Sequence, residues 1–160
     1  MPLLRPATAA DEPFLLGLTK RLAAFPVPPW RTAAEIAAAD HPILLEALHQ
    51  PTPETVILVA EEPPASPAGY VLVTTETDYF SGQLHAHIEI VAVTPAAEGH
   101  GLGRLLLESA EGWARQRGYT QITLNVFATN QTARAVYERL GYRPETVRYW
   151  KAVGPPPAAG

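Results

Sequence analysis

Three groups of residues in this chain have types and spacings suited to chemistry. The first is Gly99-His-Gly-Leu-Gly103, which follows an apolar run ending at Val93 and opens a helical pattern. Glycines reach positive φ and let the backbone approach a ligand closely. A helix start leaves several N–H groups unpaired at the positive end of its dipole. Strand, glycine turn and helix start together form a cradle for phosphate, with Arg104 as a fixed cation beside it. A glycine-rich turn alone is equally what a tight strand-to-helix connection needs. The spacing is not the Gly-x-Gly-x-x-Gly dinucleotide turn, and no Gly-Lys-Ser/Thr follows to make a Walker A loop. The second group is His85, His87 and Glu89, which alternation along a strand places with Val91 on one face. Such groups can move protons or hold a metal. A mononuclear metal site needs three or four ligands and a second shell, and no other His/Asp/Glu cluster stands nearby, so no metal is expected. The third is Tyr137, on a helical segment with Ala133, Val136 and Leu140, where a place in the core is the plain reading.

The elements that position these groups alternate in type. Leu3–Pro6 reads as a short strand, and Thr8 with Asp11 as a capping-box start for a helix carrying Phe14, Leu15, Leu18 and Leu22. Thr32 with Glu35 starts a second helix, which Pro42 breaks or restarts. Val56–Ala60, Tyr70–Thr75 and His85–Val93 are rich in β-branched residues and read as strands. Between the first two, Glu61–Gly69 reads as a hairpin loop. Gly101–Gly118 is a strongly amphipathic helix with Leu102, Leu105, Leu106, Ala110, Trp113 and Ala114 on one face. Tyr119–Val126 then reads as a strand, Asn130–Leu140 as a helix capped by Asn130 and followed by Gly141, and Val147–Ala152 as a closing strand. The order predicts a single mixed α/β sheet flanked by helices on both faces. One domain over 1–153 and a loose Pro-rich tail over 154–160 are expected.

Composition narrows the class. A chain of 160 residues, 47% hydrophobic and 18% charged, is of one domain's size and globular in character. No run approaches the ~18 apolar residues of a membrane span, and the first residues lack a secretory pattern. The absence of cysteine excludes a disulfide framework, a thiolate metal site and a thiol nucleophile. A cytoplasmic location fits these facts. With a net charge of −4 and scattered Lys and Arg, a nucleic-acid partner is not expected, nor is a membrane. A polyanionic ligand would have to be held by local geometry against the overall field.

The segment Thr94–Arg104 resembles the coenzyme A-binding motif Gln/Arg-x-x-Gly-x-Gly/Ala of the GCN5-related N-acetyltransferase (GNAT) superfamily, over positions 98 to 103. Asn130-Gln-Thr-Ala-Arg-Ala-Val-Tyr-Glu-Arg-Leu-Gly-Tyr142 is similar to that family's Asn-x-x-Ala-x-x-x-Tyr-x-x-x-Gly-Phe/Tyr segment, and Leu4–Asp11 to its opening strand and helix start. The resemblance runs from about residue 3 to about 152. It implies a mostly antiparallel mixed sheet and transfer of an acetyl group from acetyl-CoA directly onto an amine, with no acyl-enzyme. It further implies that Glu89 is the general base, with His87 as a second base or substrate contact. Tyr137 would protonate the departing thiolate. Main-chain groups of Val91, Ala92 and Val93, beyond a strand bulge, would hold the pantetheine arm. Gly99, His100, Gly101, Leu102, Gly103 and Arg104 would hold the diphosphate, with Asn130, Ala133 and Tyr137 completing the cofactor contacts. Glu98 departs from the pattern, since a carboxylate facing a diphosphate repels it unless it turns to solvent.

The resemblance puts the amine acceptor, a small molecule or a peptide amine, between the first two helices and the hairpin before Glu89. Phe25, Trp30, Tyr79 and Phe80 are then either an apolar, cation-attracting wall or a cluster that pins a proline-stiffened loop. An acyl-CoA-binding sensor or subunit without activity is the alternative function, and another phosphate-ligand enzyme a more distant one. A homodimer is compatible with the pattern.

Overall fold

The computed structural model describes residues 2–157. Five strands form one sheet in sequence order: β1 (Leu3–Pro6), β2 (Val56–Glu62), β3 (Ser66–Thr77), β4 (Leu84–Val93) and β5 (Ile122–Leu124). β1 to β4 pair antiparallel, and β5 pairs parallel with β4. Five α-helices join them: α1 (Glu12–Thr19), α2 (Ala33–Ala39), α3 (His41–His49), α4 (Leu102–Gln116) and α5 (Gln131–Arg139). None of the helices described is long and apolar enough to cross a membrane.

Local sequence accounts for most boundaries. Thr8 and Asp11 satisfy each other as a capping box at the 3-10 turn leading into α1. The Thr32 hydroxyl accepts from the Glu35 N–H at 3.1 Å and starts α2. Pro42, in the first turn of α3, restarts the helix there, where its missing N–H costs nothing. Asn130 Oδ1 accepts from the Ala133 N–H at 3.3 Å and starts α5. Gly118 and Gly141 follow α4 and α5 with φ of +77° and +93°, a conformation that L side chains resist.

The sheet separates two apolar clusters, as expected for helices on both faces. Leu15, Leu18 and Leu44 of α1 and α3 cover Ile57, Val59, Tyr70, Leu72, Ile90 and Ala92. On the opposite face α4 presses Leu102, Leu106, Leu107, Ala110 and Ala114 against Val71, Val73, Ala86 and Ile88. Leu107 is buried on α4, whereas Leu105 is only partly so. Each of these leucines contributes about 2 kcal/mol by leaving water.

Three expectations are corrected. The hairpin loop between β2 and β3 shrinks to residues 63–65, because β2 extends to Glu62 and pairs with β3 from Ser66 and Pro67 onward, with a shifted register at Ala60/Glu61. The strand expected over Tyr119–Val126 contracts to Ile122–Leu124, because its pairing with β4 ends at Ile88. Val147–Ala152 forms no strand: among the described residues nothing pairs with the outer edge of the three-residue β5, and Val147 and Tyr149 are 70% and 91% exposed. The segment is tied down instead by Trp150, whose ring stacks on Trp30 at 4.7 Å. Of the tail expected over 154–160, residues 154–157 are exposed and without regular structure, and 158–160 lie outside the described residues.

Candidate functional site

The site is built where β4 changes neighbours. Upstream, Ala86, His87 and Ile88 pair with Ile122, Thr123 and Leu124, and the Ala86 N–H donates to the Gln121 carbonyl. β5 then ends, while β4 continues to Val93. On the β3 side the register jumps at the same place: Val73 faces Ile88, but Leu72 faces Ile90. Glu89 is therefore the extra residue of a β-bulge, a device that re-aims side chains and peptide groups.

The bulge changes which way the strand faces. The Thr94 N–H donates to the Ala68 carbonyl on β3 at 2.8 Å, so the alternate residues Val93 and Val91 turn their peptide groups away from β3. With β5 gone, those groups line an open edge. Val91 also moves to the α4 face, packing on its cluster with Val93. The expected single face of His85, His87, Glu89 and Val91 thus holds for the first three and fails for Val91, because one inserted residue reverses the alternation.

On that face lies a polar network. Thr74 Oγ1 donates to Glu89 Oε1 at 3.0 Å, and His87 Nε2 stands 4.0 Å from Glu89 Oε2. The Thr123 hydroxyl on β5 bridges His87 Nδ1 at 2.7 Å and His85 Nε2 at 3.0 Å. One hydroxyl can donate to one ring and accept from the other, or accept from both, according to the ring tautomers. Glu76, directly opposite His85 in the β3–β4 register, brings Oε2 to 3.8 and 3.7 Å from the two histidines. Glu76, His85 and His87 are the one group found among the described residues with ligand atoms close enough to share a cation, all within 4.8 Å. Glu76 was not legible as their neighbour, since it enters through strand pairing. The Thr123 hydroxyl already engages both ring nitrogens.

Beyond Val93 a 3-10 turn leads to the glycine loop. Gly99 and Gly101 have φ of +79° and +80°, and Gly101 precedes the first residue of α4. The N–H groups of Gly99, Gly101, Leu102, Gly103 and Arg104 meet no acceptor among the described residues. A cradle of main-chain donors at a helix N-terminus is thus present, and it fits a diphosphate. The charged side chains around it are paired: Arg104 Nε donates to Glu108 at 2.7 Å, and His100 Nδ1 lies 3.1 Å from Glu62. Glu98 is 62% exposed and meets Arg21 at 2.5 Å.

Two cavities flank the open edge. One of about 200 Å³ is lined by Arg21, Leu22, Ala24, Val91, Ala92, Val93 and Glu98. The other, of about 600 Å³, lies between the α1–α2 connection (Ala24, Phe25, Pro26) and residues 129–133 at the head of α5, which include Asn130 and Ala133. Ala24 borders both. Neither is lined by Glu89, Tyr137 or the glycine loop. Tyr137 packs on the α4 cluster that also receives Val91 and Val93, and its ring lies 6.0 Å from that of Tyr142. Its hydroxyl makes no hydrogen bond to a described residue, and burial pushes the phenol pKa up.

The aromatic residues expected near the acceptor divide into separate pairs. Phe25 packs on Phe127 at 5.3 Å, and Trp30 on Trp150. Tyr79 and Phe80 pack on each other at the tip of the β3–β4 hairpin, 92% and 74% exposed. The first two pairs bind the proline-rich connection to the chain beyond β5.

A model of the acetyltransferase (GNAT) family matches residues 18–142. A mycothiol acetyltransferase of Amycolatopsis mediterranei is 43% identical over 68 residues, 42% of this chain and 23% of that protein. A [ribosomal protein bS18]-alanine N-acetyltransferase of Salmonella typhimurium is 41% identical over 58 residues, 36% of this chain and 39% of that one. The chain therefore spans well under half the length of these relatives. Among solved structures, a putative acetyl transferase from Pyrococcus furiosus superposes with a TM-score of 0.71 at 25% identity, covering 96% of this chain and all of the other.

Proposed function

The chain belongs to the acetyltransferase (GNAT) family, and on that footing we propose that it moves the acetyl group of acetyl-CoA directly onto an amine. One observation carries the reading: the open edge of β4, where the peptide groups of Val91 and the N–H of Val93 meet no partner among the described residues, runs straight into a glycine loop with five unpaired N–H groups. Peptide groups of Val91 to Val93 suit the amides of a pantetheine arm, and the loop from Gly99 to Arg104 suits its diphosphate. Asn130 and Ala133 line the larger cavity, which shares Ala24 with the smaller one walled by Val91, Ala92 and Val93.

Acetyl-CoA brings an activated thioester, and the protein's task is the amine's proton. An alkylammonium with pKa near 10.4 keeps that proton at pH 7, at a cost of about 4–5 kcal/mol for removal. In this reading Glu89, held by Thr74 and beside His87, accepts it as general base. Tyr137, whose desolvated phenol stays protonated at neutral pH, donates a hydrogen bond to the sulfur as thiolate character develops. The raised pKa weakens it as a full acid and suits it to donation without complete transfer.

The acceptor is an amine on a small molecule or a peptide; the relatives' names mention mycothiol and a ribosomal-protein alanine. The test is thiol release from acetyl-CoA with a panel of small-molecule amines and peptides, products identified by mass. Amine-dependent release with an acetylated product is expected. Tight CoA binding without release for any amine would leave only a binding role.

A further inference from the structure

A carboxylate, Glu98, immediately precedes the glycine loop whose unpaired N–H groups suit a diphosphate. Arg21 answers it from 77 residues away. It stands in the short 3-10 turn Lys20–Ala23 that follows α1. Its Nη1 donates to the Val93 carbonyl at 2.7 Å, on the open edge of β4, and its Nη2 meets Glu98 Oε1 at 2.5 Å. One guanidinium thus ties the end of α1, the end of β4 and the head of the loop.

Its surroundings separate it from the other cations. Arg104 is 68% exposed and turned to Glu108, and His100 is 57% exposed and turned to Glu62. Arg21 is 29% exposed and is the single cationic residue in the wall of the 200 Å³ cavity that Val91, Ala92 and Val93 share. Glu98, 62% exposed, has room to leave the pair for solvent, while the guanidinium is held by packing and by the Val93 carbonyl.

Building on the acetyl-CoA reading, we propose that Arg21 is a diphosphate-binding residue that exchanges Glu98 for a phosphate oxygen when the cofactor binds. In the free protein the pair neutralises Glu98, which would otherwise repel the ligand. In the loaded protein the freed fork of donors meets the diphosphate, a geometry to which guanidinium is suited. Glu98 then acts as an internal competitor that sets the affinity.

The test is calorimetric titration of the full chain with CoA and with pantetheine, which lacks the diphosphate. Arg21→Ala is expected to weaken CoA by roughly 10–100-fold, the size of one charge-assisted contact, and pantetheine by less than about threefold. Glu98→Gln is expected to tighten CoA several-fold, and the double variant to bind CoA more tightly than Arg21→Ala but more weakly than Glu98→Gln alone, since relief of the repulsion does not restore the lost contact. Unchanged CoA affinity in Arg21→Ala, an equal loss for pantetheine, or a double variant no better than Arg21→Ala would overturn the proposal. If Arg21→Ala does not fold, Glu98→Gln decides alone: equal or weaker CoA binding would refute the competition. Wild-type protein that binds no CoA would instead overturn the acetyl-CoA reading, and this proposal with it.

Discussion

Glu89 is itself the inserted residue of β4, and the insertion turns over the residues that follow it. In an unbroken strand it would alternate with its neighbours and Val91 would share its face; in the bulge its carboxylate reaches Thr74 and His87 while the next residues reverse. Residue types and spacing made the shared face of His85, His87 and Glu89, the Asn130 cap and the glycine loop legible in the sequence, because each belongs to a short local pattern. The roles proposed for Glu89 and Tyr137 come instead from the family resemblance. Arg21, Thr74, Glu76 and Thr123 were not legible, since each meets the site across the sheet or across the fold. At this scale two variants separate the proposed roles. Glu89→Gln is expected to lower kcat by about 100-fold and to alter the pH–rate profile, with CoA affinity retained. Tyr137→Phe is expected to lower kcat by roughly tenfold with the same affinity for CoA. Steady-state kinetics across pH, alongside titration with CoA, distinguish them; an unaltered profile removes Glu89 from the proton transfer, and full activity in the phenylalanine variant removes Tyr137.

Between elements, the slot depends on how closely β3, β4 and α4 approach one another. Gly69 sets that distance: a Cβ there would lie 2.8 Å from the Ala92 carbonyl oxygen and 3.1 Å from Leu106 Cδ1. The first partner is main chain and cannot rotate aside. Gly69→Ala therefore must shift β3 from β4 or lift α4, at about 2 kcal/mol, or roughly 4–8 °C in melting temperature. CoA affinity should fall with it, because Ala92 is part of the cavity wall. Thermal unfolding and CoA titration check both; a variant with unchanged melting temperature would show that the sheet opens at no cost. In the sequence Gly69 was indistinguishable from the turn residues before it, since the close approach arises from register and helix packing.

For the molecule as a whole, the N-terminal strand is fastened by a partly buried ion network. Arg5 makes a two-pronged contact with Asp11, both at 2.8 Å, and its Nε meets Glu61 at 2.6 Å, joining β1, the start of α1 and β2. The Arg5 hydrogen bonds hold the Asp11 carboxyl at about 2, below its ordinary 3.8. A carboxyl depressed by folding stabilises the native state above its unfolded pKa and loses that contribution as pH falls toward the folded value. Asp11→Asn is expected to cost about 1–2 kcal/mol at pH 7, a cost that shrinks between about pH 4 and pH 2. Urea unfolding at a series of pH values measures it, and a difference independent of pH would assign the loss to the capping box alone.

The sequence by itself determined the kinds of element, the caps that start and stop them, the two apolar faces that require a central sheet, and the glycine loop at the head of α4. All of these are set by neighbours within a few residues: a helical period, a capping hydroxyl, a φ that only glycine takes without strain. Tertiary structure alone decided where β5 stops, which residue of β4 is inserted, that Val147–Ala152 finds no partner, and that Arg21 meets Glu98. Those outcomes turn on strand register and on contacts between distant segments. Their energies compare alternative pairings of the whole chain, which no local pattern records.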